Sequence, residues 1–366
     1  MLNEQENKRY SRHLLLSDIG VSGQEKLKSG KVLVVGAGGL GCPVLQYLTA
    51  AGVGNIGVID FDAVDLSNLQ RQILYSTNDV GTNKALAAKN RLESLNPLIE
   101  ITAYPYQLTN KNALELFAKY DLIVDGSDNF STRYLVNDAC ILTGKTLVYG
   151  AIYKFEGQVT VFNYQDGPSY RCLFPEAPQQ GSVPNCSEVG VLGVIPGIIG
   201  VYQANEALKI ILGIGTVLSG KLLVIDALNN SQLELNIQKS QEQIDLVLAG
   251  KNEFESYDYD FFCGITGHNH QKNESEISCE ELKAIYGQGD LQIIDVREAW
   301  EAPKITELNA LNIPLNTISE NLHQINKDKK IVVFCQKGGR SAQAIQYLHE
   351  NGFKNLINLS GGISSY

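Results

Sequence analysis

Two groups of side chains in this sequence could do chemistry, and they lie far apart along the chain. In the first, Arg71 and Lys84 follow a glycine-rich loop and a strand that ends at Asp60. In the second, Cys335 begins a short loop that closes at Arg340. Cations that follow a phosphate-binding loop in the sequence are typical of an enzyme that binds a triphosphate. A cysteine at the end of a strand is typical of nucleophilic sulfur chemistry. The sequence therefore predicts two reactive centres.

The first group begins with the glycine-rich loop. Four glycines lie within six residues, directly after an apolar strand: Gly36, Gly38, Gly39 and Gly41. Such glycines allow a tight turn and let a phosphate approach the backbone at the N-terminus of the next helix. Asp60, at the end of the following strand, is placed to bind ribose hydroxyls. On pattern alone the loop could equally be an ordinary turn, and Asp60 could be a helix cap.

The residues that follow favour ATP over a dinucleotide. Arg71 lies in the run Ser-Asn-Leu-Gln-Arg-Gln, Lys84 ends the run Val-Gly-Thr-Asn-Lys, and Asp128 lies in Asp-Gly-Ser-Asp-Asn. A nicotinamide enzyme has no use for such cations, whereas a departing pyrophosphate needs its charge neutralised. Any one cation could instead form a surface salt bridge. Taken together, these residues indicate ATP-dependent adenylation and speak against a dehydrogenase.

With Arg-Tyr-Ser-Arg ending at Arg12, these segments resemble the MoeB/ThiF/HesA family, bacterial relatives of ubiquitin-activating enzymes, in the same order over about residues 4–250. The resemblance implies adenylation of the C-terminal glycine of a ubiquitin-like sulfur carrier that ends in Gly-Gly, with ATP and Mg²⁺. It assigns the ribose to Asp60 and Mg²⁺ to Asp128. It implies that Arg12 reaches the ATP of a partner subunit, and hence a homodimer. The residues that it assigns to the phosphates are Asn68, Arg71 and Lys84.

Two cysteine features depend on the same resemblance. Cys186, in the turn-rich run Gly-Ser-Val-Pro-Asn-Cys-Ser, resembles a cysteine that some relatives bond covalently to the carrier; an inert loop cysteine is the alternative. Many relatives bind structural zinc through two Cys-x-x-Cys pairs. Here the first pair reads Ser-Tyr-Arg-Cys, ending at Cys172, and we match the second to Asp-Phe-Phe-Cys, ending at Cys263. Two thiolates, a carboxylate and a hydroxyl form a poor tetrahedral set, so we predict no zinc.

The second group is the loop from Cys335 to Arg340. Successive backbone N–H groups at a helix start form a nest that favours an anionic persulfide on the cysteine. The loop resembles the active site of the rhodanese homology domain, and the likeness covers about residues 277–366. It implies a persulfide donor such as a cysteine desulfurase. The loop consists of Cys335, Gln336, Lys337, Gly338, Gly339 and Arg340.

Two alternatives apply to this loop. A cysteine phosphatase has a similar loop that is one residue longer, and the four residues between Cys335 and Arg340 favour sulfur. A non-catalytic rhodanese-like domain usually lacks the cysteine. Asp295 and Arg297 are expected to pair with each other for structural reasons rather than to act in catalysis.

The elements that position these groups follow an alternating pattern. Apolar strands and helices alternate up to residue 150, and period-two patterning follows from residue 158. This pattern predicts an α/β fold, a Rossmann-like doubly wound sheet extended by antiparallel strands, plus a small α/β rhodanese domain. We expect an adenylyltransferase domain at 1–245, a linker at 246–275 and the rhodanese-like domain at 276–366.

Composition narrows the setting. The chain has 366 residues and a formal net charge of −10, which disfavours nucleic acid and anionic membranes as partners. The apolar run at 189–212 contains glycine, proline and charged residues, so it is expected to be a core helix or helix hairpin rather than a membrane span. Seven scattered cysteines and no signal-like N-terminus indicate free thiols in the cytoplasm.

The sequence thus predicts that one chain activates a sulfur carrier and supplies its sulfur. Molybdopterin synthesis, thiamine thiazole synthesis and tRNA thiolation all use such carriers. The segments at 9–12 and 67–72 look most like the molybdopterin branch, so its carrier, the small subunit of molybdopterin synthase, is the preferred substrate. The alternative of another class is a non-catalytic scaffold that only binds the carrier.

Overall fold

The computed structural model of the chain describes residues 1–178, 190–263, 276–287, 290–336 and 338–366. Cys186 and Lys337 lie outside the described residues. The chain divides into two compact units. Of the described residues, those up to 263 form the first unit and those from 276 form the second.

The first unit is a sheet covered by helices. Its strands are β1 (Lys31–Val35), β2 (Asn55–Ile59), β3 (Glu100–Tyr104), β4 (Leu122–Asp125), β5 (Thr146–Tyr153), β6 (Glu156–Phe162), β7 (Lys221–Asp226) and β8 (Ser231–Asn236). Its helices are α1 (Glu4–Arg9), α2 (Ser11–Leu14), α3 (Gly20–Ser29), α4 (Gly41–Ala51), α5 (Lys84–Leu95), α6 (Asn110–Ala118), α7 (Phe130–Thr143), α8 (Tyr170–Leu173), α9 (Val194–Leu212), α10 (Gln241–Ala249) and α11 (Tyr259–Phe262).

The sheet order is β3-β2-β1-β4-β5-β6-β7-β8. Strands β1 to β5 are parallel, and the pairs from β5 to β8 are antiparallel. The central strands are mostly apolar and buried because helices cover both faces. The predicted doubly wound sheet with an antiparallel extension is confirmed.

Helix α9 is the apolar run that the sequence predicts to be a core element. It packs across β5 and β6 and against α4. The approach is close: a Cβ on Gly157 of β6 would lie 2.2 Å from Cγ1 of Ile199, so only glycine fits there. In the described part of the chain, no helix, α9 included, is long and apolar enough to cross a bilayer.

Residues 246–263, which were expected to belong to a linker, fold as part of the first unit. Helix α10, a 3₁₀ segment at Gly250–Ser256 and helix α11 all belong to the first unit. Phe254 and Tyr259 are buried in the same core cluster as Tyr134 of α7. The stretch is polar on average, but its aromatic side chains supply enough apolar surface to fold it onto the sheet. Among the described residues the first compact unit therefore extends through residue 263, beyond the boundary expected at 245.

The second unit is smaller. Its strands are β9 (Glu276–Ile277), β10 (Leu291–Asp295), β11 (Leu311–Asn312), β12 (Lys330–Phe334) and β13 (Leu356–Leu359), and its helices include α12 (Cys279–Ile285) and α13 (Gly339–Glu350). All pairs are parallel, in the order β11-β10-β12-β13-β9. The central strand β12 ends directly before Cys335. A parallel sheet places that loop at the carboxyl ends of the strands, where ligands bind in such folds.

Candidate functional sites

A cavity of about 740 Å³ lies at the carboxyl ends of the central strands of the first unit. The loops that follow β1, β2 and β4 all open into it, because strand order reverses at this point of the sheet. Sequence-predicted residues that line it are Gly36, Gly38, Gly39, Asp60, Arg71, Lys84 and Asp128. Residues separated by more than 90 positions are thus brought to one site.

The glycine-rich loop needs its glycines for geometric reasons. Gly36 has φ +88°, in the region that favours glycine. Gly41 begins α4, and a Cβ there would lie 2.0 Å from the carbonyl oxygen of Gly36. The loop therefore turns tightly enough to point the N-terminus of α4 at the cavity, as a phosphate site requires.

Asp60 is tied to this loop by hydrogen bonds. Its Oδ2 accepts from the backbone N–H of Ala37 at 2.8 Å, and its Oδ1 accepts from that of Asp62 at 2.9 Å. Burial raises the pKa of Asp60, and the charge of Lys84 and these two N–H groups oppose the rise. The carboxylate is thereby fixed at the mouth of the loop.

The cations of the cavity have different surroundings. Lys84 is buried, and its Nζ lies 2.9 Å from Oδ2 of Asp62. Arg71 is partly exposed, and it donates from Nη1 to the carbonyl of Ser67 at 3.1 Å. The sequence alone did not identify Asp62 as a site residue, although it lies two residues after Asp60 at the end of the same strand.

Of the other predicted residues of this site, Gly41, Asn68 and Arg12 lie outside the cavity lining. Asn68 caps the 3₁₀ turn Leu66–Asn68, where its Oδ1 accepts from the N–H of Asp65. Arg12 is exposed on the short helix α2. Asp128 lines the cavity as an exposed carboxylate. Cys186 falls outside the described residues.

Sequence reasoning missed one wall of the cavity. Residues 106–111, after β3, and residues 255–260, which run into the start of α11, form this wall. Asn110 Nδ2 joins them by donating to the carbonyl of Tyr257 at 3.0 Å. The second of these segments was expected to be linker. Only its aromatic residues could have indicated otherwise.

Cys172 and Cys263, the cysteines that remain of the two pairs, have different surroundings. Sγ of Cys172 accepts from the backbone N–H groups of Ser169 and Ser240, both at 3.3 Å. Cys263 is buried in a core cluster with Tyr134 and Phe254. The segment before α10 therefore contacts Cys172, and the segment that ends at Cys263 also lies near the first pair, since the guanidinium carbon of Arg171 lies 4.9 Å from the ring centroid of Phe262. Among the described residues, no three His, Cys, Asp or Glu side chains converge as a metal site would require.

In the second unit, Cys335 is buried at the end of β12. The N–H of Gly338 lies 3.1 Å from its Sγ, and Oγ of Ser341 lies 3.5 Å away. Gly338 has φ +102° and is the N-cap of α13, so its backbone N–H turns toward the sulfur. The side chain of Gln336 is held by Ser364 and Arg297, and Gly339 begins α13. These contacts give an anion-binding geometry around one thiol.

Arg340 is held by a residue that the sequence did not single out. Its Nη1 and Nη2 donate to Oε1 and Oε2 of Glu301 at 2.6 and 2.8 Å. These hydrogen bonds lower the pKa of Glu301. The pair is bidentate and mostly buried, which fixes the end of the sulfur loop.

Asp295 and Arg297 form the buried pair that the sequence predicts. Nη2 of Arg297 lies 2.8 Å from Oδ2 of Asp295, and its Nε donates to Oδ1 at 2.9 Å. Arg297 is fully buried and also donates from Nη1 to Gln336. Through this hydrogen bond the Asp295–Arg297 pair supports Gln336 of the sulfur loop.

Comparisons with known families match one family to each of the two parts of the chain. Residues 10–246 match the model of the ThiF family, and residues 278–366 match that of the rhodanese-like domain. The solved structures that resemble the chain include Escherichia coli MccB, with a TM-score of 0.57 and 24% identity over 65% of this chain and 74% of that one. At this identity the likeness concerns the fold.

Relatives in other organisms cover the whole chain. A protein of Mycobacterium tuberculosis named probable adenylyltransferase/sulfurtransferase MoeZ is 43% identical over 100% of this chain and 94% of its own length. The adenylyltransferase and sulfurtransferase MOCS3 of Culex quinquefasciatus is 40% identical over 100% and 88%. The sulfur carrier protein adenylyltransferase of Thermus thermophilus is 53% identical over 72% and 98%.

Proposed function

Because the chain belongs to the ThiF family and carries a rhodanese-like domain after it, we propose that it adenylates the small subunit of molybdopterin synthase and then transfers sulfur to it. The protein is an ATP-using adenylyltransferase and a sulfurtransferase that acts on a sulfur carrier, in line with its MoeZ and MOCS3 relatives. The proposal adds the identity of the carrier, the acting residues and a cytoplasmic location.

One observation supports the adenylation site above all. A single cavity joins the glycine-rich loop, Asp60 and the cations Arg71 and Lys84. The loop and Asp60 suit the α-phosphate and the ribose. Lys84 and Arg71 then neutralise the charge that develops on departing pyrophosphate, and Asn68 assists from the turn beside them.

The chemistry needs no general base. A C-terminal carboxylate has a pKa of about 3.5 and is ionised at neutral pH. One of its oxygens bonds to the α-phosphorus of ATP, and the bond from that phosphorus to the pyrophosphate oxygen breaks. The products are an acyl-adenylate and pyrophosphate. This chain's contribution is to position both reactants and exclude water.

Mg²⁺ and a second subunit complete this proposal. One or two carboxylates and the phosphates commonly hold Mg²⁺, and Asp128 is the carboxylate placed for it. When bound, the ion would neutralise phosphate charge. Arg12 is exposed and away from its own cavity, which is consistent with a reach into the cavity of a partner in a homodimer.

Sulfur transfer would start from a persulfide on Cys335, loaded by a donor such as a cysteine desulfurase. Its terminal sulfur attacks the carbonyl carbon of the adenylate, and AMP leaves. A second thiol then attacks the Cys335 sulfur, which releases the carrier thiocarboxylate and leaves a disulfide. Cys186 is the candidate for a covalent link to the carrier between the steps, with an inert loop cysteine as the alternative.

Pyrophosphate exchange tests the proposal. The purified chain is mixed with ATP and each of the three kinds of carrier: that of molybdopterin, of thiamine thiazole and of tRNA thiolation. We expect the fastest exchange with the molybdopterin synthase small subunit, and mass spectrometry should then show one carboxylate oxygen replaced by sulfur when a persulfide donor is added. Faster exchange with another carrier would contradict the carrier assignment alone. Tight binding of carrier without any pyrophosphate release would favour the scaffold alternative.

A further inference from the structure

Arg133 is a cation of the nucleotide cavity that the mechanism above does not use. It lies in the first turns of α7 and lines the cavity. Its guanidinium carbon lies 5.4 Å from the ring centroid of Phe130 and 5.6 Å from that of Tyr149. Its Nε is buried and has no hydrogen-bond partner in the described part of the chain. Because buried donors are normally paired, this N–H is suited to a ligand.

Arg133 and Lys84 lie near different carboxylates at the strand ends. Burial raises the pKa of Asp60, and Lys84 is the charge that most opposes this rise. Burial also raises the pKa of Asp125, and there Arg133 is the main opposing charge. Strand order agrees with this separation: β1 and the glycine-rich loop lie between β2, which precedes Asp60, and β4, which precedes Arg133. Arg133 therefore follows the strand on the β4 side of the glycine-rich loop, and Asp60 follows the strand on its β2 side.

We propose that Arg133 binds the C-terminal carboxylate of the carrier and holds it for attack on the α-phosphorus. The inference rests on the proposed adenylation and deepens it. A guanidinium presents a planar fork that matches a carboxylate with two parallel hydrogen bonds. The carboxylate is already ionised, so the geometry of its approach is what an enzyme can supply. Its oxygen gains the bond to phosphorus as the pyrophosphate oxygen leaves, with no proton transferred.

The surroundings of Arg133 favour a carboxylate over a phosphate chain. Asp125 and Asp128 are the acidic groups whose charge Arg133 feels. A nearby negative charge such as that of Asp125, which is not assigned to Mg²⁺, opposes a polyanion more strongly than it opposes a single carboxylate. The stacked rings of Phe130 and Tyr149 restrict the guanidinium, so its orientation is set before the carrier arrives.

A binding cycle tests the assignment. The carrier that supports exchange is prepared with a free C-terminal carboxylate and with a C-terminal amide, and each form is titrated into wild-type chain and Arg133→Gln in the presence of a non-hydrolysable ATP analogue. We expect Arg133→Gln to weaken binding of the free acid about 100-fold and to leave the amide unchanged. The affinity for the ATP analogue should change less than about threefold. Arg91→Gln, which removes an exposed arginine outside the cavity, should change neither.

Arg133→Lys is the control for a folding defect. Lysine keeps the positive charge and loses only the planar guanidinium that can make two parallel hydrogen bonds. It should weaken binding of the free acid about 10-fold with an unchanged melting temperature. Equal losses for acid and amide, or a loss of nucleotide affinity instead, would overturn the assignment of Arg133 alone. A wild-type chain that releases no pyrophosphate with any carrier would overturn the proposed function and this inference together.

Discussion

The two reactive centres of this protein are built in contrasting ways. The nucleotide cavity collects side chains from the ends of several strands, from Gly36 to Asp128, and a wall from residues 255–260. The sulfur loop is almost contiguous, from Cys335 to Ser341, and most of its contacts to the sulfur come from its own backbone and hydroxyl groups. Charge recognition at a triphosphate needs convergent side chains, whereas an anionic sulfur is satisfied by a local nest.

This difference makes the two centres separable by mutation. A change in the cavity should stop activation and spare sulfur loading, and a change in the loop should do the reverse. Variants of either centre can therefore show whether one centre fails while the other still works.

Cys335→Ala should have the largest effect, because the atom that carries the sulfur is removed. We expect thiocarboxylate formation to fall to background and pyrophosphate exchange to stay at the wild-type rate. Mass spectrometry of the carrier and an exchange assay measure the two. Cys279→Ala is the matched control, since Cys279 is buried in the same unit and contacts Ser365 rather than the loop. A variant that still forms thiocarboxylate would show that sulfur reaches the carrier by another route.

Lys84→Gln should lower the rate of pyrophosphate release about 100- to 1,000-fold, the usual cost of losing one group that stabilises transition-state charge. Sulfur transfer from thiosulfate to cyanide should be unchanged. Lys89→Gln, on the same helix but partly exposed and paired with Glu93, is the control. Equal loss of both activities would mean that the two centres depend on one another.

Gly41→Ala should cost the first unit about 3 kcal/mol, because the new Cβ would lie 2.0 Å from the carbonyl oxygen of Gly36. Denaturant unfolding measures the loss in free energy of unfolding, and ATP titration measures the loss of affinity. Gly197→Ala in α9 is the control, since a Cβ there has no atom within 4 Å. An unperturbed Gly41→Ala variant would contradict the tight turn.

Glu301→Gln should cost the second unit about 1–2 kcal/mol through loss of the charged partner of Arg340. The lowered pKa of Glu301 fixes the pH dependence. The folded pKa is below the unfolded one, so the stabilisation is present above about pH 4.3 and is lost as pH falls through the folded value. Wild type and variant should therefore converge in stability at acid pH, and a gap that persists there would argue against this pair.

Removal of metal should have the smallest effect. With Cys172 already hydrogen-bonded by Ser169 and Ser240, a chelator should leave the melting temperature of the nucleotide-free chain unchanged. A fall in melting temperature that zinc restores would contradict the prediction of a zinc-free chain.

Much of this architecture could be predicted from the sequence. Apolar strands alternating with helices predicted the doubly wound sheet, and the glycine-rich loop, Asp60, Arg71 and Lys84 were selected before their convergence was known. Residues 246–263 were expected to be linker from their polar composition, yet they fold with the first unit, because a few buried aromatics such as Phe254 outweigh many solvated side chains. Spacing alone also does not say that the backbone N–H of Ser240 contacts Cys172.

The sequence by itself determined the chemistry that each centre can do: residue types and short-range spacing define a nucleotide loop and a sulfur loop. Only the tertiary structure decided which groups face each other. Glu301 with Arg340, Asp62 with Lys84, and Arg133 with the ring of Tyr149 are contacts between residues 16 to 39 positions apart. Such contacts depend on how strands order in a sheet, and no local pattern encodes that order.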